Sequence, residues 1–142
     1  MTPEATSHLD RATAFLTKAN IDISISLQEP IMAEDAARNA YYAAFHAAKA
    51  LIFERTGRTH KTHGGVNTGF NQISRTEPGI DQTMRAFLSI AYDFKRLTDY
   101  DIAQTAQVTP AIAAKTVKET ERFVAVVRQL LSTPPPLVGS AP

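Results

Sequence analysis

Residues 34–53 form an alanine-rich stretch that constrains the fold more than any other part of the chain. They contain eight alanines and neither glycine nor proline, and alanine is the best helix former. On a helix that turns by about 100° per residue, small and apolar side chains cover nearly the whole circumference of this stretch. We therefore predict a central helix, from after Pro30 to about Arg55, that packs against other helices on several sides.

One narrow polar strip interrupts this apolar surface. Arg38, Tyr42 and Lys49 fall within about 40° of one another on the helical wheel, with His46 at the margin. An arginine in a buried helix needs a partner, because an unpaired buried charge is costly. The sequence leaves two interpretations of Arg38 open: it binds a phosphate group, or it forms a buried ion pair with Asp99.

Caps and helix breakers divide the rest of the chain into further helices. Thr2-Pro3 and Thr109-Pro110 each combine a candidate N-cap with a proline at the first helical position. Residues 21–27 alternate as a strand would, but a lone strand has nothing to pair with, so we predict that the first helix continues to about Leu27. The sequence thus predicts an all-α fold, an antiparallel bundle of four to five helices. We expect a single domain over residues 1–131 and a flexible, proline-rich tail over residues 132–142.

Composition limits the classes of function. The chain has 142 residues, no cysteine and a formal net charge of +1, so disulfides and thiolate metal sites are excluded and no strong basic field is present. We expect a cytoplasmic protein, because no signal peptide and no apolar run of membrane-spanning length can be recognised. We expect neither a metal nor another cofactor, because His60-x2-His63 has no carboxylate or thiol close to it in sequence.

Three segments together resemble the HEPN domain family. They are the run from Arg38 to Leu51 that reads Arg-Asn-Ala-Tyr-Tyr-Ala-Ala-Phe-His-Ala-Ala-Lys-Ala-Leu, then Lys61-Thr-His63, and then Arg96-Leu-Thr-Asp-Tyr100. Their order, spacing and helical context are similar to an uncharacterised bacterial branch of that family. The resemblance implies an all-α bundle, a homodimer, and a role in RNA or nucleotide binding or in RNA cleavage. It also implies a toxin–antitoxin or defence setting in which a minimal nucleotidyltransferase is the antitoxin-type partner.

The resemblance further implies a site on the helix that carries Arg96. Catalytic members of the family use an arginine followed a few residues later by a histidine, near the dimer axis and without metal. Here the helix reads Arg96-x3-Tyr100, with tyrosine in place of histidine. A tyrosine with a pKa of about 10 is a poor general base at neutral pH. This departure favours a binding module, and a metal-independent endoribonuclease toxin is the alternative.

His63 is the candidate for the missing imidazole. It precedes a glycine pair near the expected start of the third helix, where free backbone N–H groups favour an anion such as phosphate. The predicted site therefore has two groups of residues: catalytic Arg96, Tyr100 and His63, and nucleotide- or phosphate-binding Arg38, Lys61, Tyr42 and Asp99.

A purely structural bundle is the third interpretation, and a scattered arrangement of these residues would favour it. In that interpretation Arg38 pairs with Asp99, and His63 caps a helix. We also expect His46 to pack in or beside the core, and His8 and His60 to be solvated.

Overall fold

The computed structural model describes residues 1–99 and 108–132, which form five α-helices and, within those ranges, no strand. The helices are α1 (Pro3–Ile25), α2 (Ile31–Thr56), α3 (His63–Ser74), α4 (Gln82–Thr98) and α5 (Pro110–Ser132). The predicted all-α fold is confirmed. The predicted tail beyond residue 132 and the predicted site residue Tyr100 lie outside the described residues. No helix in the described ranges has the length and hydropathy needed to cross a membrane.

Helix α2 is the centre of the bundle and packs against each of the other four helices. Every alanine of α2 is buried, and such small side chains let neighbouring helices approach closely. Around it, Phe70, Phe87 and Phe123 fill the main core, where the ring of Phe123 contacts the other two. The central position predicted for the alanine-rich stretch is therefore confirmed.

Side-chain caps fix most of the helix starts. Thr2, Thr62 and Asp81 each accept a hydrogen bond from the backbone N–H three residues further on, which satisfies a donor that the first helical turn leaves free. At the end of α2, Gly57 adopts a left-handed conformation with φ of 71°, which glycine takes without steric cost. These local signals explain why the breaks fall where the sequence predicts them.

Helix α1 ends at Ile25, two residues before the predicted limit, and the strand alternative is excluded. Ser26 caps it by donating its hydroxyl to the carbonyl of Ile23. Two neighbouring residues of this segment are not buried as their polarity suggests. The apolar Ile21 is 57% exposed, whereas the charged Asp22 is only 6% exposed. Asn39 of α2 donates a hydrogen bond of 2.9 Å to the Asp22 carboxylate, so a polar contact joins the two helices here beside the apolar packing of Ile23.

Candidate functional site

Three aromatic side chains from three helices meet at the start of α3. His63, the first residue of α3, stacks on Tyr92 of α4 with ring centres 3.7 Å apart and an interplanar angle of 7°. Its Nδ1 atom lies 3.1 Å from the hydroxyl of Tyr41 on α2. Tyr41 is buried, while His63 and Tyr92 are half-buried. The imidazole plane is therefore fixed by groups on two other helices.

Burial favours the uncharged forms of His63 and Tyr41. It lowers the pKa of the His63 imidazole, and the carboxylate of Asp93 opposes this shift. Burial also raises the pKa of the Tyr41 hydroxyl, with smaller contributions from Tyr92 and Tyr42. A neutral imidazole has one N–H and one lone pair. If the Tyr41 hydroxyl accepts the Nδ1–H, Nε2 of His63 carries the lone pair that a general base needs.

Two cations of α4 lie beside these rings. Nζ of Lys95 is 5.9 Å from the ring centres of both Tyr42 and Tyr92, and Cζ of Arg96 is 5.9 Å from that of Tyr92. Lys95 also forms an ion pair of 2.7 Å with Asp99 one helical turn later, and the hydrogen bond to that carboxylate raises the pKa of Lys95. The site therefore combines permanent positive charge with aromatic faces.

Arg38 lies at the other end of the same surface, and the expectation that it is buried is wrong. Its side chain is 36% exposed, because it projects toward the point where α4 ends. It pairs with Asp35 at 3.1 Å and with Asp99 at 3.8 Å, and it donates a hydrogen bond of 3.2 Å to the carbonyl of Thr98. The Arg38–Asp99 contact expected from the sequence exists, but Asp99 is closer to Lys95.

These contacts connect most of the predicted residues into one strip, which we call the α2–α3–α4 surface. It consists of Arg38, Tyr41, Tyr42, His63, Tyr92, Lys95, Arg96 and Asp99. Lys61 is exposed in the connection that precedes His63. Tyr100 lies outside the described residues. Five of the seven predicted site residues thus share one surface, which argues against a scattered arrangement.

The sequence predictions missed Tyr41 and Lys95, whereas Tyr92 is a candidate stacking residue because it falls on the same helix face as an arginine. Tyr41 lies among the small and apolar side chains of the central helix, although a buried tyrosine hydroxyl usually needs a hydrogen-bond partner. Lys95 follows Tyr92 at helical spacing, and Asp99 lies one further turn along the same face. That spacing is the signal in the sequence that could have identified Lys95.

The other histidines occupy different surroundings. His46 packs beside the core, as predicted, between Phe15 and His8. His8 and His60 are half-buried, so the expectation that they are solvated is wrong. His60 fills the space that Gly69 leaves, since a Cβ atom at that position would lie 3.2 Å from its Nε2. In the part of the chain that the structure describes, no three His, Asp or Glu side chains are grouped so that they could hold a metal ion.

Comparisons with known proteins agree with this architecture. The family model of the HEPN domain matches residues 5–130. A protein named "UPF0332 protein" from Archaeoglobus fulgidus is 39% identical over 85 residues, which cover 60% of this chain and 65% of that protein, just under two thirds of its length. A protein named "Putative toxin MJ0605" from Methanocaldococcus jannaschii is 28% identical over 116 residues, which cover 82% of this chain and 84% of that protein. Because the family model matches nearly the whole described bundle, the chain belongs to the HEPN domain family.

Proposed function

We propose that this protein binds RNA, or a nucleotide, on the α2–α3–α4 surface. The observation that carries the proposal is the stack of His63 on Tyr92 with the cations of Lys95 and Arg96 beside it. Unpaired RNA is bound by cations that contact phosphates and by aromatic rings on which bases stack. Both kinds of group lie here within one short strip.

The proposal includes a biological setting, in which the protein is the toxin-type half of a pair with a nucleotidyltransferase. Membership of the HEPN family and the toxin name of the relative from M. jannaschii support the toxin part. A homodimer belongs to the same proposal, because two copies would bring two sets of Arg96 and His63 to one composite site. Light scattering at micromolar concentration should give the mass of a dimer. If it gives only the mass of a monomer, the proposed composite site is wrong.

Binding of a labelled single-stranded RNA, followed by fluorescence anisotropy, tests the proposed site. Arg96→Ala should weaken binding, because it removes a cation next to the Tyr92 ring. Lys118→Ala is the matched control, since it removes an exposed cation from α5. Equal affinities for the parent and Arg96→Ala would overturn the assignment of the site.

A metal-independent endoribonuclease is the second candidate function, and the neutral, oriented His63 favours it. In such a reaction the RNA 2′-oxygen attacks the adjacent phosphorus while a base takes its proton. The 5′-oxygen then leaves with a proton from an acid, and the products are a 2′,3′-cyclic phosphate and a 5′-hydroxyl. Nε2 of His63 would be the base, and Lys95 and Arg96 would stabilise the charge of the pentavalent phosphorane.

Cleavage of labelled RNA in the presence of EDTA tests this second function. The parent protein should cut the RNA, and His63→Ala should lose most of the activity. No cleavage by the parent, or equal cleavage by His63→Ala, would overturn the catalytic function. Either result would leave the binding proposal to be judged by the anisotropy experiment.

A further inference from the structure

Two histidines from neighbouring helices face each other on the α1 side of α2. The Nδ1 atoms of His8 and His46 are 3.4 Å apart, and their rings stack with centres 5.6 Å apart. On the other side of His46, the ring of Phe15 is nearly parallel to the imidazole, with an interplanar angle of 6°. Lys49 places its Nζ 5.4 Å from the ring centre of Phe45. Lys49 and several aromatic rings therefore lie together on this side of α2.

His8 and Lys49 lie against the connection between α2 and α3 at a crevice too narrow for a water molecule. Its basic lining residues are His8, Lys49, Arg58 and His60. The remaining lining residues, Ile52 and Thr59, carry no charge. We call the set of His8, Arg11, His46, Lys49, Arg58 and His60 the α1–α2 basic patch.

The charges of this patch act on one another. After burial, the influences that lower the pKa of His46 come from Arg11, His8 and Lys49. The pKa of Lys49 is likewise lowered by burial and then by Arg11. Glu54, on the turn of α2 after Lys49, accepts hydrogen bonds from the backbone N–H and the hydroxyl of Thr2. The positive charge of the patch comes from Arg11, Lys49 and Arg58, and it suits a polyanion.

We infer that the α1–α2 basic patch binds the phosphate backbone of single-stranded RNA, as an extension of the α2–α3–α4 surface. This inference rests on the RNA binding proposed above. Tyr42 joins the two regions, because its ring centre lies 5.3 Å from that of Tyr41 and 5.4 Å from that of Phe15. A strand that runs from His63 to His46 would pass the half-buried rings of Tyr42 and Phe15, because Tyr41 itself is buried. A single strand fits this row better than a duplex, since a duplex hides the base faces that aromatic side chains contact.

The salt dependence of RNA affinity tests this inference, because each phosphate contact contributes to it separately. For single strands, log K falls with log salt concentration by about 0.7 for each phosphate that is neutralised. Arg11→Gln combined with Lys49→Gln should reduce the slope by about 1.4 and weaken binding about tenfold or more at low salt. Lys115→Gln combined with Lys118→Gln is the matched control, since it removes two cations from α5 and should leave the slope unchanged.

The other outcomes separate this inference from the proposed function. If the parent binds RNA and the Arg11/Lys49 variant keeps the full slope with an intact helical spectrum, the basic patch is excluded and the α2–α3–α4 surface remains. If the parent binds no RNA, this inference and the RNA-binding part of the proposed function are both overturned. Binding to phosphatidylserine vesicles, measured in parallel, tests whether the patch binds the phosphate of lipid headgroups instead of RNA. The inference would be overturned if the parent binds the vesicles, the Arg11/Lys49 variant does not, and both proteins bind RNA with equal affinity. That result would assign the patch to a lipid surface.

Discussion

The imidazole of His63 lies parallel to the phenol ring of Tyr92, with ring centres 3.7 Å apart and planes 7° apart. His63 begins α3 and Tyr92 lies within α4, while the hydroxyl of Tyr41 on α2 lies 3.1 Å from the same imidazole. Three helices therefore position one side chain. The contact presents a histidine of fixed orientation next to two cations.

The pKa of His63 should respond to Asp93. Burial lowers this pKa and Asp93 raises it, so Asp93→Asn should lower it further by removing the charge that stabilises the imidazolium. NMR titration of the His63 ring protons measures the shift, and Asp10→Asn on the exposed side of α1 is the matched control. A higher or unchanged pKa in Asp93→Asn would contradict this account of the electrostatics.

Acid should destabilise the fold through His46. Burial, Arg11, His8 and Lys49 lower its pKa from 6.5 to about 4, so in this window the unfolded chain binds the proton more readily than the folded protein. The stability is fully present above about pH 6.5 and is lost as the pH falls toward about 4, by at most about 1.4 kcal/mol per pH unit for one group.

Urea unfolding at pH 7 and pH 5 measures this effect. The loss of unfolding free energy between the two values should be smaller in His46→Gln than in the parent, because glutamine does not titrate. An equal loss in both proteins would show that other groups determine the acid sensitivity. His8, whose pKa is also lowered by burial, Lys49 and Arg11, should contribute in the same direction.

The ion pair of Arg55 and Glu77 should be important for stability. Their side chains are only 14% and 10% exposed, and Arg55 also donates a hydrogen bond of 3.1 Å to the carbonyl of Leu130 on α5. Glu77→Ala should cost about 3–5 kcal/mol, because it leaves a buried charge without its partner. Arg122→Ala, which breaks the exposed pair with Asp81, should cost about 1 kcal/mol or less. Similar costs for both variants in thermal or urea unfolding would contradict this comparison.

Arg38 should affect binding more than stability. It and its partners Asp35 and Asp99 are 36–45% exposed, so Arg38→Ala should change the unfolding free energy by about 1 kcal/mol or less. RNA affinity should fall in Arg38→Ala, and Arg38→Lys should recover only part of it because lysine lacks the planar guanidinium fork. Unchanged affinity together with a large loss of stability would give Arg38 a structural role instead.

The sequence predicts the fold well because local chemistry sets the helix limits. Thr2 and Thr62 are caps that act on their own first turns, and Gly57 takes a left-handed conformation in which other residues are strained. The alanines of α2 identify the central helix, because they favour a helix and let other helices pack closely on several sides. The end of α1 is less predictable, since Asp22 is buried by its contact with Asn39 from another helix.

The site is predicted less completely because it depends on which helix faces meet. Helical spacing places Arg38 and Tyr42 on one face of α2, and the structure confirms that shared face. Helical spacing does not reveal that Arg38 contacts Thr98 at the end of α4. Nor does it reveal that the Tyr41 hydroxyl of α2 contacts His63 of α3. Those relationships depend on tertiary packing, which periodicity within one helix does not encode.

The affinity of Tyr92 variants for labelled single-stranded RNA tests the central claim most directly. Tyr92→Phe keeps the ring that stacks on His63 and should bind RNA about as well as the parent. Tyr92→Ala removes the ring and should lose about tenfold or more, since a stacked base contributes about 1–3 kcal/mol. If a folded Tyr92→Ala variant binds RNA as tightly as the parent, the α2–α3–α4 surface is not the RNA-binding site.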